Sequence, residues 1–203
     1  MQLYLLFLIM ASITVLSPGP GVVMTLTNAL RYGIRDTLGG IAGIAVGALV
    51  VAAISATSVG VILATSAVAF TLLKFAGAAY LIYLGIKLWR SPPLKLSEQP
   101  PQEANLARRF AEGLSLQLTN PKAVFFFISI FPQFIDLQKD YSTQFALLVL
   151  TYILLVLCIH SLYALFAHRA KSWISSERGG RTVNRAASAT FVAFGVALAS
   201  AQK

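Results

Sequence analysis

Residues 37–73 read TLGGIAGIAVGALVVAAISATSVGVILATSAVAFTLL and carry no charged side chain. A helix crosses the hydrocarbon layer with ~20 apolar residues, so this run is too long for one crossing and too apolar to lie in water. It predicts two helices, about Leu38–Val59 and Ala67–Trp89, joined by a turn near Gly60–Ser66. Working outward, Leu3–Leu30 is an uncharged run long enough for one tilted or broken span. On the other side, Ser91–Asn105 is rich in Pro, Gln and charge and reads as a flexible loop. Further runs follow at about Arg109–Ile135, Thr143–Ala167 and Ala186–Ala201, the last being the shortest. The expectation is an all-α membrane protein with six transmembrane helices in a single domain over residues 1–203.

Composition agrees. A mean hydropathy of +0.76, with 57% hydrophobic and 11% charged residues, excludes an ordinary soluble domain. The net charge of +9 invites a nucleic-acid reading, but its placement argues for lipid instead. Twelve of the 16 Lys and Arg fall in or beside three connecting segments. These hold Arg31 and Arg35; then Lys87, Arg90, Lys95, Arg108 and Arg109; then Arg169, Lys171, Arg178, Arg181 and Arg185. Short basic loops stay cytoplasmic, so both termini are expected outside. The basic residues then face anionic headgroups, and nucleic acid is excluded as a partner. The lone Cys158 allows neither an internal disulfide nor a dithiol redox pair. The N-terminus lacks a basic n-region, so the first run is kept as a mature helix.

The loop divides the chain into a first repeat (about 1–90), a connecting loop (91–108) and a second repeat (109–203). With three helices in each set, the second runs through the bilayer in the opposite sense, the geometry of an inverted repeat. Gly39, Gly43 and Gly47 recur every fourth residue, a face suited to close helix packing. Gly77 and Gly85 share one face of the third helix.

Two helices are expected to break. Ser17-Pro18-Gly19-Pro20 interrupts the first and Thr119-Asn120-Pro121-Lys122 the fourth. Proline removes a backbone donor and clashes with the carbonyl four residues earlier. Interrupted backbone survives in hydrocarbon only where protein buries it or it lines a wet cavity. Ser17 and Asn120 suit an N-cap, and Pro18 and Pro121 the first helical position. Each break is therefore read as a restarted helix whose N-terminus attracts an anion. Matching breaks in two halves point to a binding site, although packing kinks would read the same.

Lys122 is the strongest candidate, because an ammonium at that depth costs ~2.5–3.5 kcal/mol on insertion scales. An anionic ligand would offset that, and the carbonyls freed at Thr14 or Gln117 could hold a ligand's amine. Lys74 is expected to snorkel or to function. Asn28 fits an interhelical hydrogen bond or a place in the pathway, and His160 a buried imidazole or a proton carrier. All seven acids, Glu112 among them, lie in expected loops or near helix ends. Without a midplane carboxylate, a metal-ion or strongly cationic cargo is disfavoured.

Ser17-Pro18-Gly19-Pro20, Leu118-Thr119-Asn120-Pro121-Lys122-Ala123, and Leu73-Lys74 through Gly77-Ala78-Ala79-Tyr80-Leu81 to Gly85 together resemble the bacterial lysine-exporter and homoserine/threonine-resistance family, over nearly the whole chain. The resemblance implies an inner-membrane exporter of amino acids or close derivatives that uses the proton gradient, and no enzyme or cofactor. It also marks Pro18, Gly19, Pro20, Asn120, Pro121, Lys122 and Lys74 as functional positions. The expected site joins Ser17, Pro18, Gly19, Pro20, Asn120, Pro121 and Lys122 for substrate, with Asn28, Lys74, Glu112 and His160 for pathway or coupling. Its partners are a neutral amino acid, protons and membrane lipid; a homo-oligomer is left open. The competing readings are a channel or exporter for another small solute such as a metal ion, and a membrane redox enzyme.

Overall fold

The computed structural model describes residues 2–17, 19–65, 67–93, 105–136 and 138–200, and every regular element among them is helical. Helix α1 (Gln2–Leu16) ends just before the proline motif. Pro18 itself lies outside the described residues, as do Ser66 and most of the loop expected at Ser91–Asn105. Helix α2 (Pro20–Thr65) restarts the chain and α3 (Ala67–Arg90) follows. Helix α4 (Leu106–Leu118) begins on Asn105, whose side chain accepts the Arg108 N–H. After a gap at Thr119 and Asn120 comes the short α5 (Pro121–Phe125). It widens into a π-turn (Phe126–Ile130) and tightens into a 3-10 turn (Phe131–Phe134). Helices α6 (Tyr141–Ile174) and α7 (Glu177–Ser200) complete the chain.

Three expected connections differ. The basic segment around Arg31–Asp36 is not a loop: α2 runs through it with one non-helical residue, Gly33, at φ 77° and ψ 177°. Only glycine adopts that backbone without strain, so one residue turns the chain where sequence suggested several. The turn near Gly60–Ser66 is shorter than expected, since helix continues to Thr65 and resumes at Ala67. The last helix begins at Glu177, not Ala186, and absorbs Gly179 and Gly180. These glycines are helical because they are pressed against the end of α6. A Cβ on Gly179 would overlap the Trp173 carbonyl, and one on Gly180 would strike Pro93 and the Ile174 carbonyl. Charge marked this stretch as a loop, but a polar helix extends beyond hydrocarbon equally well.

The most extensive packing joins elements from opposite halves of the sequence: α2 with α4, α3 with α7 and α2 with α6. The glycine face of α2 lies against α4, where a Cβ on Gly43 would collide with the Phe110 carbonyl and one on Gly47 with Gln117. Gly113 returns the fit against the Gly40 carbonyl. Between α3 and α7, Gly85 admits Val192, and the Ser188 hydroxyl donates to the Gly85 carbonyl at 2.6 Å. Away from these contacts the surface is apolar: Leu5, Ile54, Leu72, Leu150, Leu154 and Leu165 are each more than half exposed. Such a belt suits lipid, not water. Among the described residues, Pro20–Ala56 and Tyr141–Ala167 are long and apolar enough to cross a membrane alone, and Leu3–Leu16 is a shorter apolar helix.

Candidate functional site

The first break leaves carbonyls that the helix cannot satisfy. Pro18 and Pro20 have no N–H, so the carbonyls four residues earlier, on Thr14 and Leu16, lose their helical donors. Side chains from distant segments replace them. The Lys122 ammonium donates to the Thr14 carbonyl at 2.8 Å, and the Tyr163 hydroxyl donates to the Leu16 carbonyl at 2.7 Å. Lys122 also donates to the Ser17 carbonyl at 3.1 Å and to Ser17 Oγ at 3.0 Å. An ammonium carries three N–H donors, and all three have acceptors here.

Lys122 therefore offsets its burial with the electronegative C-terminal end of α1, where a cation is favoured by the helix dipole. The Thr14 carbonyl, which sequence left for a ligand's amine, is occupied by this lysine. Ser17 also departs from the expected N-cap. Its hydroxyl donates back to Thr14 at 2.9 Å, and the restarted helix opens on Pro20, with the Val23 N–H bonded to the Gly19 carbonyl. Gly19 is where Lys122 passes, since a Cβ there would sit 3.2 Å from its Nζ.

The second break is capped locally, as sequence suggested. Asn120 Oδ1 accepts the Lys122 N–H at 3.1 Å, Pro121 takes the opening position, and the Asn120 carbonyl accepts from Ala123 and Val124. The Asn120 N–H turns back to the Gln117 carbonyl that Pro121 leaves without its helical donor.

Lys122 and Asn120 stand at one end of a cavity of about 680 Å³. Gly19, Pro20, Val23, Met24, Thr27 and Asn28 form one wall, and Leu84, Lys87 and Leu88 another. The far end is framed by Ser91, Pro92 and Asn184, whose amide nitrogen donates to the Ser91 and Pro92 carbonyls. Past Lys122 along the chain, aromatic rings pack against one another and against α1. Phe7 packs on Phe126, Phe131 and Phe134 at centroid distances of 6.1, 5.9 and 5.4 Å, and Phe127 and Tyr152 extend the cluster.

His160 belongs to this region. Buried on α6, it shares a small cavity with Lys122 and Gln117, and its Nδ1 lies 2.7 Å from the Thr25 hydroxyl. Gly21 makes room for its ring. Asn28 lines the main cavity nearer its far end. Glu112 stands apart, ion-paired to Arg108 and Arg109 at the start of α4, with Arg109 4.2 Å from the Tyr32 ring. The Lys74 ammonium lies 4.8 Å from the Phe75 ring, and Lys74 is not among the described residues that line the cavity. Thr25 and Tyr163 were not singled out from sequence, because a hydroxyl in an apolar helix carries no signal until its partner is known. Among the described residues, no three His, Cys, Asp or Glu side chains are close enough to hold a metal ion.

The model of the LysE type translocators matches residues 12–202. The chain belongs to the LysE family. It is thus a membrane translocator and not an enzyme. It is 33% identical over 196 residues to a homoserine/homoserine lactone efflux protein of Salmonella typhi, covering 97% of this chain and 95% of that one. It is also 33% identical to an uncharacterized membrane protein of Vibrio cholerae, covering 99% and 98% of the two chains. A Bacillus subtilis uncharacterized membrane protein is 30% identical, covering 97% and 98%. No solved structure matches at a significant level.

Proposed function

We propose that this LysE-family chain is a secondary active exporter of neutral amino acids across the bacterial inner membrane, driven by protons. The observation that carries the reading is the Lys122 ammonium at the closed end of the cavity, held by groups a substrate carboxylate can replace. A carboxylate drawn to Lys122 forms charge-assisted bonds and releases the Thr14 and Ser17 carbonyls. Loosening the end of α1 beside the aromatic cluster couples substrate arrival to opening of the opposite side. His160, beside Lys122, is the group we assign to proton movement; Glu112, engaged by two arginines, is the less suited of the two.

The membrane arrangement follows the same reading. Six segments cross the bilayer: 2–32, 34–65, 67–90, 106–134, 141–174 and 177–200. The first and fourth are the broken ones, and the segments form two inverted sets of three. Basic ends at Arg31, Arg35, Lys87 and Arg90 support a cytoplasmic opening of the cavity with both termini outside. Substrate then enters from the cytoplasm, as export requires. The name of the Salmonella relative makes homoserine the first substrate to try.

The test is efflux from cells, and uptake into everted vesicles carrying an imposed proton gradient, with a panel of neutral amino acids headed by homoserine. Accumulation above the empty-vector level, abolished by a protonophore, supports the reading. Unchanged levels across the whole panel overturn it.

A further inference from the structure

The cavity has a second polar end that the export reading leaves unused. Asn28 lines it and is only 5% exposed, yet its Nδ2 has no hydrogen-bond partner. An amide donor buried without a partner has given up its water for nothing, and native interiors avoid that unless the group has other work. Nδ2 now rests near Gly40. The terminal torsion of Asn is broad, so either polar atom can turn to the cavity.

Asn28 is too far from Lys122 to serve the same bound molecule. Nine residues of helix separate Gly19, beside the lysine, from Asn28, which is ~13.5 Å along the axis. The wall between them is apolar, with Val23 and Met24 on α2 and Leu84 and Leu88 on α3. A short amino acid cannot bridge that gap. Lys87, on α3, lines the same cavity as Asn28. Its ammonium now lies 5.9 Å from the exposed Tyr83 ring, and its long flexible side chain lets that charge swing to the cavity mouth.

We infer that Asn28, with Lys87 from the α3 wall, forms a vestibular site that binds a zwitterionic amino acid before it reaches Lys122. The Asn28 amide donates to a carboxylate or side-chain oxygen, and Lys87 supplies the charge that draws the carboxylate in. Substrate then passes along the apolar wall to the deep lysine. Two sites in series let an exporter gather a dilute cytoplasmic substrate without holding it so tightly at the deep site that release outside slows. The inference rests on the export reading.

The experiment places a reporter cysteine at Thr27, in a chain whose natural cysteine is replaced (Cys158→Ser), and follows maleimide labelling in everted vesicles. The probe is whichever panel amino acid the wild type exports fastest. At a concentration of twice its dissociation constant it should slow labelling about threefold by mass action. The slowing should persist in Lys122→Met, be lost in Asn28→Ala, and return in part in Asn28→Gln, which keeps the amide. Slowing that vanishes in Lys122→Met, or that survives in Asn28→Ala, overturns the vestibular site while leaving export intact. Absence of any wild-type export removes the transport reading itself, and the site falls with it.

Discussion

At the first break the carbonyls of Thr14, Leu16 and Ser17 are satisfied from outside, by Lys122 and Tyr163 arriving from α5 and α6. At the second, Asn120 does the work within five residues, capping Lys122 with its side chain and accepting from Ala123 and Val124 with its carbonyl. Two proline motifs that look equivalent in sequence therefore differ in what they depend on. The self-capped break is a fixed platform that presents Lys122. The other end has one local side-chain bond, from Ser17 to Thr14, and otherwise leans on Lys122 and Tyr163, which on the proposed reading makes it the part a ligand can release.

That contrast is easiest to break at Lys122. Lys122→Met removes hydrogen bonds to a charged group, each contributing ~1.5–3 kcal/mol. With a factor of ten per ~1.4 kcal/mol, the proposed export of a neutral amino acid should fall ~10–100-fold. A lactone or ester of the same amino acid has no carboxylate, so any export of it should fall less; equal losses would remove the carboxylate from the account. Adding Ser17→Ala to Lys122→Met should change little further, since the two act through one network. Next in size is Tyr163→Phe, which leaves the Leu16 carbonyl without its donor and should lower stability in detergent by ~1–3 kcal/mol, read by thermal unfolding. An unchanged midpoint would mean that the first break does not need α6.

Asn120→Ala tests the opposite claim, that the second break is local. Loss of an N-cap is worth ~0.5–2 kcal/mol, and the effect should add to that of Tyr163→Phe. Strong non-additivity would show that the breaks are coupled. The smallest effect compares this cap with one in the connecting turn. Asp140 Oδ2 accepts the Thr143 N–H at 2.7 Å, and hydrogen bonds from the Thr143 side chain and backbone hold its carboxyl below the usual range. A depressed folded value stabilises above the ordinary carboxylate value of ~3.9 and is lost as pH falls through the folded one. The wild type's small advantage over Asp140→Asn at pH 6 should thus narrow in acid. A gap that widens in acid would reverse the assignment.

Much of this was legible in the sequence, and the illegible parts share a cause. Thr14 could be named as a freed carbonyl because proline chemistry acts at a fixed spacing of four residues. What would take that carbonyl could not be read, because Lys122 is more than a hundred residues away and only packing joins them. Asn120 was read correctly because its cap is local. Ser17 was misread as a cap because Pro18 and Pro20 compete for the restart, and spacing alone does not choose. The glycines at 39, 43 and 47 announced a close contact without naming α4 as the partner. Basic charge at Arg31 and at Arg178–Arg185 suggested loops, yet the chain stays helical there because charge reports a watery environment and not a backbone conformation.

The wide turn after Lys122 has a consequence for relatives of this chain. The Phe131 N–H reaches back five residues to the Phe126 carbonyl, so the stretch holds one residue more than a regular α-helix would use. Deleting that surplus residue would rotate everything downstream by ~100° and swing Phe131 and Phe134 away from Phe7. A homologue with an identical Asn-Pro-Lys signature but a one-position gap soon after it would turn a different set of rings toward Phe7. Between two such exporters, the spacing from that signature to the next proline is a better guide to how those rings pack than the signature itself.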